Sequence, residues 1–276
     1  MQQSVNSDSF NVVTLNGSQL GLSCILPVDF PIQREFTINN HLNILPNVEI
    51  TQTPKLRYFG IGINGCYNVD DENLVAAYNP SRTDMNLYHM VPIRCVPVEN
   101  DLSAVERKKY RLRQMKTMGD GNAYYLYYLK VLDWSQDITY VQIGPDGTEI
   151  PYELDASNLK PKPVKPNSNT FVTSNNSSIV AYYQATVTIS ADEVLEYIRL
   201  QYNGDTRKAR ISEVGFFTGV DVDVSGTANT TPITYTEAAY TQLYNHTTIS
   251  GIPLTKSGMK LTAPFRLTST GILTAV

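Results

Sequence analysis

The feature that most constrains this chain is a pair of strand-like runs, residues 110–118 and 123–133, on either side of a four-residue loop. The loop, residues 119–122, reads Gly-Asp-Gly-Asn. Its two glycines permit positive φ angles and so allow the chain to reverse within a few residues. The pattern predicts a β-hairpin with two long arms.

The second arm of this hairpin is apolar on both faces, because residues 124–132 read Tyr-Tyr-Leu-Tyr-Tyr-Leu-Lys-Val-Leu. Such a strand is either central in its own sheet or covered by another chain. The tyrosines favour a cover by another chain, since Tyr is enriched where one end of the ring is buried and the other finds a polar partner. The resulting interface candidates are Tyr124, Tyr125, Tyr127 and Tyr128.

The rest of the chain also indicates β structure, since Thr, Val, Ile and Tyr are common and turn residues recur about every ten residues. Short strands are expected in the opening third at residues 10–15, 19–26, 35–38, 48–53 and 56–63. The expected fold class is mainly β, with two β-sandwich or jelly-roll-like modules and few short helices.

Two segments are candidates for those helices. Residues 190–193 read Ser-Ala-Asp-Glu, which fits a capping box, so a helix at residues 191–197 competes there with a strand. A shorter helical turn is expected at residues 103–108.

A change of composition marks the expected domain boundary. Residues 157–178 contain a Pro/Lys run that favours extended polyproline II, followed by an Asn/Ser-rich stretch. We therefore expect an N-terminal β domain with the Tyr-rich hairpin at 1–156, a linker at 157–178 and a C-terminal β domain at 179–276.

The C-terminal domain carries the remaining interface candidates. The chain ends in the apolar tail Gly-Ile-Leu-Thr-Ala-Val at residues 271–276, which needs a cover. Phe216 and Phe217 lie in a strand-like run further upstream. Ile272 and Leu273 of the tail complete this set.

Composition excludes several classes of protein. Only 17% of the 276 residues are charged, against about 25% in a typical soluble domain, and disordered chains are usually charge-rich. The net charge of −4 provides no general basic face for DNA or an anionic membrane. No segment resembles a membrane anchor or a secretion signal, which favours synthesis and retention in a cytoplasm. The widely spaced Cys24, Cys66 and Cys95 suggest reduced, unreactive thiols.

One local basic run precedes and enters the hairpin. Its cations include Arg107, Lys108, Arg111 and Arg113. Alternation along a strand puts Arg111 and Arg113 on one face. The polar face of a half-buried strand is favoured over contact with DNA or an acidic partner, because five cations in seven residues are modest evidence for nucleic acid.

Residues 60–65 spell the glycine pattern GxGxxG, with Asp84 downstream. Dinucleotide binding also needs a helix that begins within the glycines. No helical pattern follows here, so a tight turn or bulge is favoured and no cofactor is expected.

No recognisable catalytic or metal motif is present. His41, His89 and His246 lie far apart, and the carboxylates at residues 70–72, Asp221 and Asp223 lack EF-hand spacing. The sequence therefore predicts a protein that is not an enzyme, with no catalytic, cofactor-binding or metal-ligating residues.

A resemblance to a known family starts at residues 211–221, Ile-Ser-Glu-Val-Gly-Phe-Phe-Thr-Gly-Val-Asp. This stretch is similar to the E-(I/V)-G-(L/F)-(F/Y) strand of tailed-bacteriophage tail and baseplate proteins, including fibre attachment domains. Residues 56–62 leading to 89–94, and residues 101–111 leading to the hairpin, resemble phage virion structural proteins of similar length.

The resemblance implies a non-enzymatic structural subunit of a phage particle, assembled in the host bacterial cytoplasm as a homo-oligomer around the tail axis. Its partners would be further copies and other tail or neck proteins, joined through β interfaces. A baseplate or tail component is favoured, and a neck or head–tail connector, with the basic run facing DNA, is the alternative.

An alternative of another class is a carbohydrate-binding or depolymerising tail component. In that case the Tyr-rich hairpin would stack on sugars, and Asp70, Asp71 or Glu72 would supply carboxylates.

Overall fold

The computed structural model describes residues 9–25, 33–45, 48–69, 74–134, 137–144, 146–160, 178–228 and 231–269. The strands are β1 (Ser9–Val13), β2 (Lys55–Gly62), β3 (Cys66–Val69), β4 (Leu74–Ala77), β5 (Met90–Val91), β6 (Arg94–Pro97), β7 (Tyr110–Thr117), β8 (Ala123–Val131), β9 (Asp133–Trp134), β10 (Thr139–Ile143), β11 (Glu149–Pro151), β12 (Ser178–Ser190), β13 (Arg210–Ala228), β14 (Thr231–Pro253) and β15 (Lys260–Ser269). The α-helices are α1 (Leu15–Ile25), α2 (Ile38–Leu42), α3 (Ala104–Arg107) and α4 (Ala191–Gln201). Short 3₁₀ turns occur at Arg34–Phe36, Val98–Asn100, Ala156–Leu159 and Thr206–Lys208. The mainly β fold with few short helices is confirmed.

The chain forms two compact units, each built from separated segments. The first contains Met1–Leu132 and Thr188–Thr262, and the second contains Asp133–Val187 and Ala263–Val276. This division differs from the expected linear one. Strand β13, which was assigned to a separate C-terminal domain, pairs with β2 from the opening third, from Glu213 against Gly62 to Gly219 against Lys55.

The linear boundary fails for a physical reason. Composition marks where a chain is extended or polar, but strand pairing joins segments that are far apart in sequence. Residues 161–177, most of the expected linker, lie outside the described residues.

The first unit is organised around an antiparallel eight-stranded sheet. Its order is β1-β14-β13-β2-β8-β6, with β5 beside β2 and β7 beside β8. The long hairpin formed by β13 and β14 contains three register shifts. A separate two-stranded sheet joins β3 and β4.

The hairpin predicted from the two long runs is confirmed as β7 and β8. Tyr110 pairs with Lys130 at one end and Thr117 with Ala123 at the other. The other edge of β8 is shared by β6 and β2. Strand β8 is therefore central, with partners along both edges, and this explains why both of its faces are apolar.

The largest fully buried side chains all belong to the first unit and form its core. They are Tyr58, Tyr127, Phe59, Phe217, Ile61, Ile93, Leu112, Leu126, Leu129, Ile189, Leu195 and Ile198.

Two of the short strands expected in the opening third are helical instead. Residues 19–26 fall mostly in α1, and residues 35–38 fall in a 3₁₀ turn and the start of α2. The Oγ1 atom of Thr14 accepts a hydrogen bond from Gly17 N at 3.1 Å, which caps the first turn of α1. A Cβ on Gly17 would lie 2.4 Å from Tyr244 O, so this glycine lets the helix approach β14 closely.

The capping box at Ser190 is confirmed. Its side chain accepts from the backbone at the start of α4, and the Glu193 carboxylate accepts from Ser190 N at 2.9 Å. Helix α4 buries Val194, Leu195 and Ile198. Among the described residues, no helix is long and apolar enough to cross a membrane.

A buried carboxylate joins β14 to the outer edge of β7. Glu237 Oε1 accepts from Leu112 N at 2.5 Å, and its Oε2 accepts from Arg113 N at 2.9 Å. Leu112 has a φ of 54°, in the left-handed region, which turns its N–H out of the ladder with β8. Glu237 thus takes the place of a missing strand partner.

The second unit has its own antiparallel sheet, in the order β11-β10-β12-β15 with β9 beside β12. Trp134 of β9 stacks on Tyr183, with ring centroids 4.9 Å apart and an interplanar angle of 10°. Phe265 lies 6.4 Å from the same indole ring. The only tryptophan of the chain therefore lies in an aromatic cluster of this unit.

Candidate functional site

A fully buried carboxylate connects three segments of the first unit. Glu213, on β13, has no exposed side-chain surface. Its Oε1 accepts from Asn64 N at 2.9 Å and His89 N at 3.2 Å. Its Oε2 accepts from Tyr88 N at 2.6 Å. Glu213 therefore holds the loop after β2 and the segment before β5 against β13.

The same carboxylate faces a buried imidazole. His246, on β14, has its Nε2 3.2 Å from Glu213 Oε2 and its Nδ1 2.8 Å from Asp84 Oδ2. The imidazole of His246 therefore lies between two carboxylates, and the three side chains form a hydrogen-bond network.

The GxGxxG motif makes room for this network. A Cβ on Gly62 would lie 2.6 Å from Glu213 Oε1, and a Cβ on Gly65 would lie 2.2 Å from Ser212 O. No helix begins within these glycines, since β2 ends at Gly62 and β3 begins at Cys66. Gly62 and Gly65 lie against the buried Glu213 carboxylate, which is a repulsive neighbour for a phosphate. Close backbone packing accounts for these two glycines, whereas the sequence had favoured a tight turn or bulge.

Three tyrosines extend from the buried imidazole to the surface. We call Tyr67, Tyr78 and Tyr88 the tyrosine row. The Tyr88 ring packs edge-on against His246 at 4.8 Å between centroids. Tyr78 lies 6.1 Å from Tyr88, and Tyr67 lies 4.8 Å from Tyr78. Each of the three is more than 40% exposed.

The backbone that carries the row is hydrogen-bonded on several sides. Tyr78 N donates to Gly65 O at 2.9 Å, and Thr248 Oγ1 donates to Tyr78 O. Tyr88 N donates to Glu213, and Tyr88 OH donates to Asn79 O at 3.3 Å. Burial, with the nearby Asp84 carboxylate, raises the pKa of Tyr88. The row is thus an exposed aromatic surface on a rigid polar base.

The edge strand β1 adds one more aromatic ring to this face of the sheet. Phe10 pairs with Thr248 and Val12 pairs with His246. Directly opposed residues of antiparallel strands share a face. Phe10, which is 39% exposed, therefore lies on the face that contains His246 and Thr248.

The interface candidates predicted in the hairpin are in the protein's own core. Each of these four tyrosines is at most 7% exposed. Their hydroxyls find acceptors within the chain, as in the 2.7 Å bond from Tyr127 to Asp101 Oδ1 and the 3.2 Å bond from Tyr125 to Thr227 O. The prediction that another chain covers this strand is wrong, because strands of the same unit flank β8. The prediction concerned Tyr124, Tyr125, Tyr127 and Tyr128.

The other interface candidates divide into two groups. Phe216 and Phe217 of β13 are buried, at 4% and 0% exposed, so they too belong to the core and not to a surface. Ile272 and Leu273 lie outside the described residues.

The arginines of the basic run form internal ion pairs. Asp101 binds both Arg107, at 3.2 Å, and Arg113, at 2.8 Å. Arg111 binds Asp221 at 2.8 Å. All three arginine side chains are at most 8% exposed, so they are not available to DNA or to an acidic partner. Lys108, by contrast, is exposed.

The remaining candidates for chemistry stay apart. Burial raises the pKa of the Cys95 thiol to about 12, so the thiolate is scarce at neutral pH. Among the described residues, no group of three or more His, Cys, Asp or Glu side chains is placed to hold a metal ion. Residues 70–72, the carboxylates considered for sugar chemistry, lie outside the described residues.

The site that sequence reasoning missed is the Asp84–His246–Glu213 network with its tyrosine row. Its members are 33 to 162 residues apart and sit in no shared motif. The glycines at positions 60–65 were the one local signal, because a run of glycines beside a strand indicates close approach of another group.

The fold and the site define a mainly β protein with an exposed aromatic surface over a buried hydrogen-bond network. The chain belongs to a family described as a family of unknown function, DUF7208, whose model matches residues 1–270. Neither the curated proteins nor the solved structures contain a match to the chain.

Proposed function

We propose that the protein is a non-enzymatic structural subunit of a tailed-phage particle, and that it binds its neighbours through the tyrosine row. The observation that carries the binding role is the exposure of three contacting tyrosine rings on a fixed backbone. Tyr is enriched in protein interfaces because it offers a large contact area at low conformational cost. The placement in a tail or baseplate rests on the resemblance of residues 211–221.

The network beneath the row supports a binding role more than a catalytic one. His246 and Glu213 are fully buried, and their polar atoms are occupied by each other, by Asp84 and by backbone N–H groups. A buried group that fixes the positions of surface rings lowers the entropic cost of binding a partner.

The neck alternative loses its main support. It relied on a basic run that faces DNA, and the arginines of that run are paired with Asp101 and Asp221. A tail or baseplate position is therefore the preferred form of the proposal.

A carbohydrate-binding role is the second candidate, and one observation favours it. Exposed aromatic rings close to carboxylates are typical of sugar sites, and Asp84, 15% exposed, lies under Tyr88. The hairpin tyrosines that suggested this role are buried, so the tyrosine row would have to bind the sugar instead.

The test of the structural role is co-assembly with the proteins encoded by neighbouring genes. The double variant Tyr67→Ser with Tyr78→Ser leaves Tyr88 over His246 and removes the outer two rings. We expect about a tenfold or greater loss of co-sedimentation, because Tyr is enriched among the interface residues whose truncation costs about 2 kcal/mol or more. The matched control is Phe36→Ser with Met115→Ser, which removes exposed apolar side chains of other elements.

Unchanged co-assembly of the tyrosine variant, with both variants folded by circular dichroism, would contradict the role of the row. A wild-type protein that binds none of its neighbours would contradict the structural role itself. Glycan-array binding that the tyrosine variant loses would replace it with the carbohydrate role.

A further inference from the structure

Strand β1 is an open edge of the eight-stranded sheet. Among the described strands it pairs only with β14, and it stands at the end of the strand order. Four of its five residues, Ser9, Phe10, Asn11 and Val13, are exposed. Within the part of the chain that the structure describes, no strand pairs with the side of β1 away from β14, so its backbone donors and acceptors lack a strand partner there.

The strand's own sequence and its register with β14 lack the charges, prolines and bulges that commonly protect such an edge. Natural edge strands carry Lys, Pro or a bulge, or are twisted away from neighbours. Residues 9–13 read Ser-Phe-Asn-Val-Val, with no charge, proline or glycine. The register with β14 is continuous from Ser9 against Ile249 to Val13 against Asn245, with no bulge.

The same sequence is complementary to itself. In an antiparallel pair of two copies centred on Asn11, Phe10 lies opposite Val12 of the partner subunit, and Ser9 lies opposite the partner's Val13. Aromatic and β-branched side chains are favourable cross-strand neighbours. No position brings like charges together, and a strand that pairs with its own copy satisfies the rule that a two-fold interface uses one patch twice.

We propose that β1 pairs antiparallel with β1 of a second copy, so that the two eight-stranded sheets continue across a two-fold axis. This inference rests on the proposed structural role, since it names another copy of the chain as one of the neighbours. It places Phe10, on the face that carries His246, at the subunit boundary.

The test uses opposite charges at the centre of the proposed pair. Asn11→Lys brings two ammonium groups together across the axis, and Asn11→Glu brings two carboxylates together. Each variant alone should shift toward monomer, with a dimer dissociation constant raised about tenfold or more, because like charges brought together across an interface are unfavourable. A 1:1 mixture should restore a species of twice the 30.8 kDa chain mass in sedimentation equilibrium.

Restoration by mixing separates pairing from a folding defect, since Asn11 also accepts from Asn245 Nδ2 and its loss disturbs that contact. Thr234→Lys, at an exposed position of β14, is the control and should dimerise like the wild type. A monomeric wild type, or two variants that dimerise as the wild type does, or a mixture that stays monomeric would each overturn the inference. If the Asn11 variants still co-assemble with neighbouring proteins, the structural role stands without this dimer.

Discussion

At the scale of single residues, Gly62 and Gly65 of the GxGxxG motif leave the space that the buried Glu213 carboxylate and its neighbour Ser212 occupy. The missing side chain of Gly65 brings the loop after β2 against Ser212, where Gly65 N donates to Ser212 Oγ at 2.8 Å. That close approach puts Asn64 N within reach of the Glu213 carboxylate. The glycine pattern resembles a phosphate-binding motif, but here glycines are required because a side chain at Gly62 or Gly65 would clash with β13.

This account predicts the effect of adding one methyl group. Gly65→Ala should lower the free energy of unfolding by about 1–3 kcal/mol, because its Cβ would meet backbone atoms that cannot move without shifting β13. Urea unfolding followed by circular dichroism measures the change. Gly119→Ala is the matched control: its Cβ meets nothing within 4 Å and its φ is not positive, so we expect a change within about 0.5 kcal/mol. Equal effects at the two sites would contradict the packing account.

At the scale of elements, Asp221 connects three strands. Its carboxylate, on β13, accepts from Arg111 of β7 at 2.8 Å and from Tyr58 of β2 at 2.7 Å, and Arg57 of β2 lies 3.2 Å away. Burial acts to raise the pKa of Asp221, but the hydrogen bonds from Arg111 and Tyr58 outweigh it and hold the pKa below its usual value. Asp221 therefore stabilises the folded state most at pH values where its carboxylate is ionised.

Asp221→Asn should therefore destabilise the protein by about 2 kcal/mol at pH 7, since a hydrogen-bonded charge is lost. A lowered folded-state pKa contributes stability above the unfolded-state value, and that contribution disappears as the pH falls through the folded-state pKa. The difference from wild type should thus shrink in urea titrations below about pH 4. Asp223→Asn, at an exposed position two residues further along β13, should change stability little at any pH. A difference that grows on acidification would contradict the assignment.

Several elements were predictable from local sequence, and others were not. The β7–β8 hairpin and the start of α4 follow from alternation, glycine placement and a capping box, all of which act within a few residues. Helix α1 was mistaken for a strand because its decisive features are a Thr14 cap and a close approach of Gly17 to Tyr244. The second of these depends on a strand more than 200 residues away.

At the scale of the whole molecule, part of the low content of charge is explained by the protein's own core. The charge-poor strand β8 is the centre of the protein's own sheet and not a surface reserved for another chain. Among the described residues, exposed apolar side chains are spread over several elements, and the tyrosine row and the β1 residues Phe10 and Val13 are among them. Overall composition reports how much apolar surface must be covered, but not which chain covers it.

The two units should be distinguishable in unfolding. Trp134, the only tryptophan, reports on the second unit, whose buried apolar side chains among the described residues are Val141, Ala185 and Val187. Because so small a core provides little stability, Trp134 fluorescence should change at lower urea concentration than far-UV circular dichroism. Asp221→Asn, in the first unit, should shift the circular dichroism transition and leave the Trp134 transition in place. Coincident transitions for both probes would show one cooperative unit instead.

By itself, the sequence determined the mainly β class, the β7–β8 hairpin and the cap of α4, because backbone preference, side-chain alternation and turn chemistry are local. Only the tertiary structure decided that β13 returns to β2, that Arg107, Arg111 and Arg113 are paired inside the fold, and that His246 meets Asp84 and Glu213. These outcomes depend on which distant strands pair and in which register. A shift of one residue in that register reverses the face of every side chain, so no local pattern could have specified the network or the tyrosine row above it.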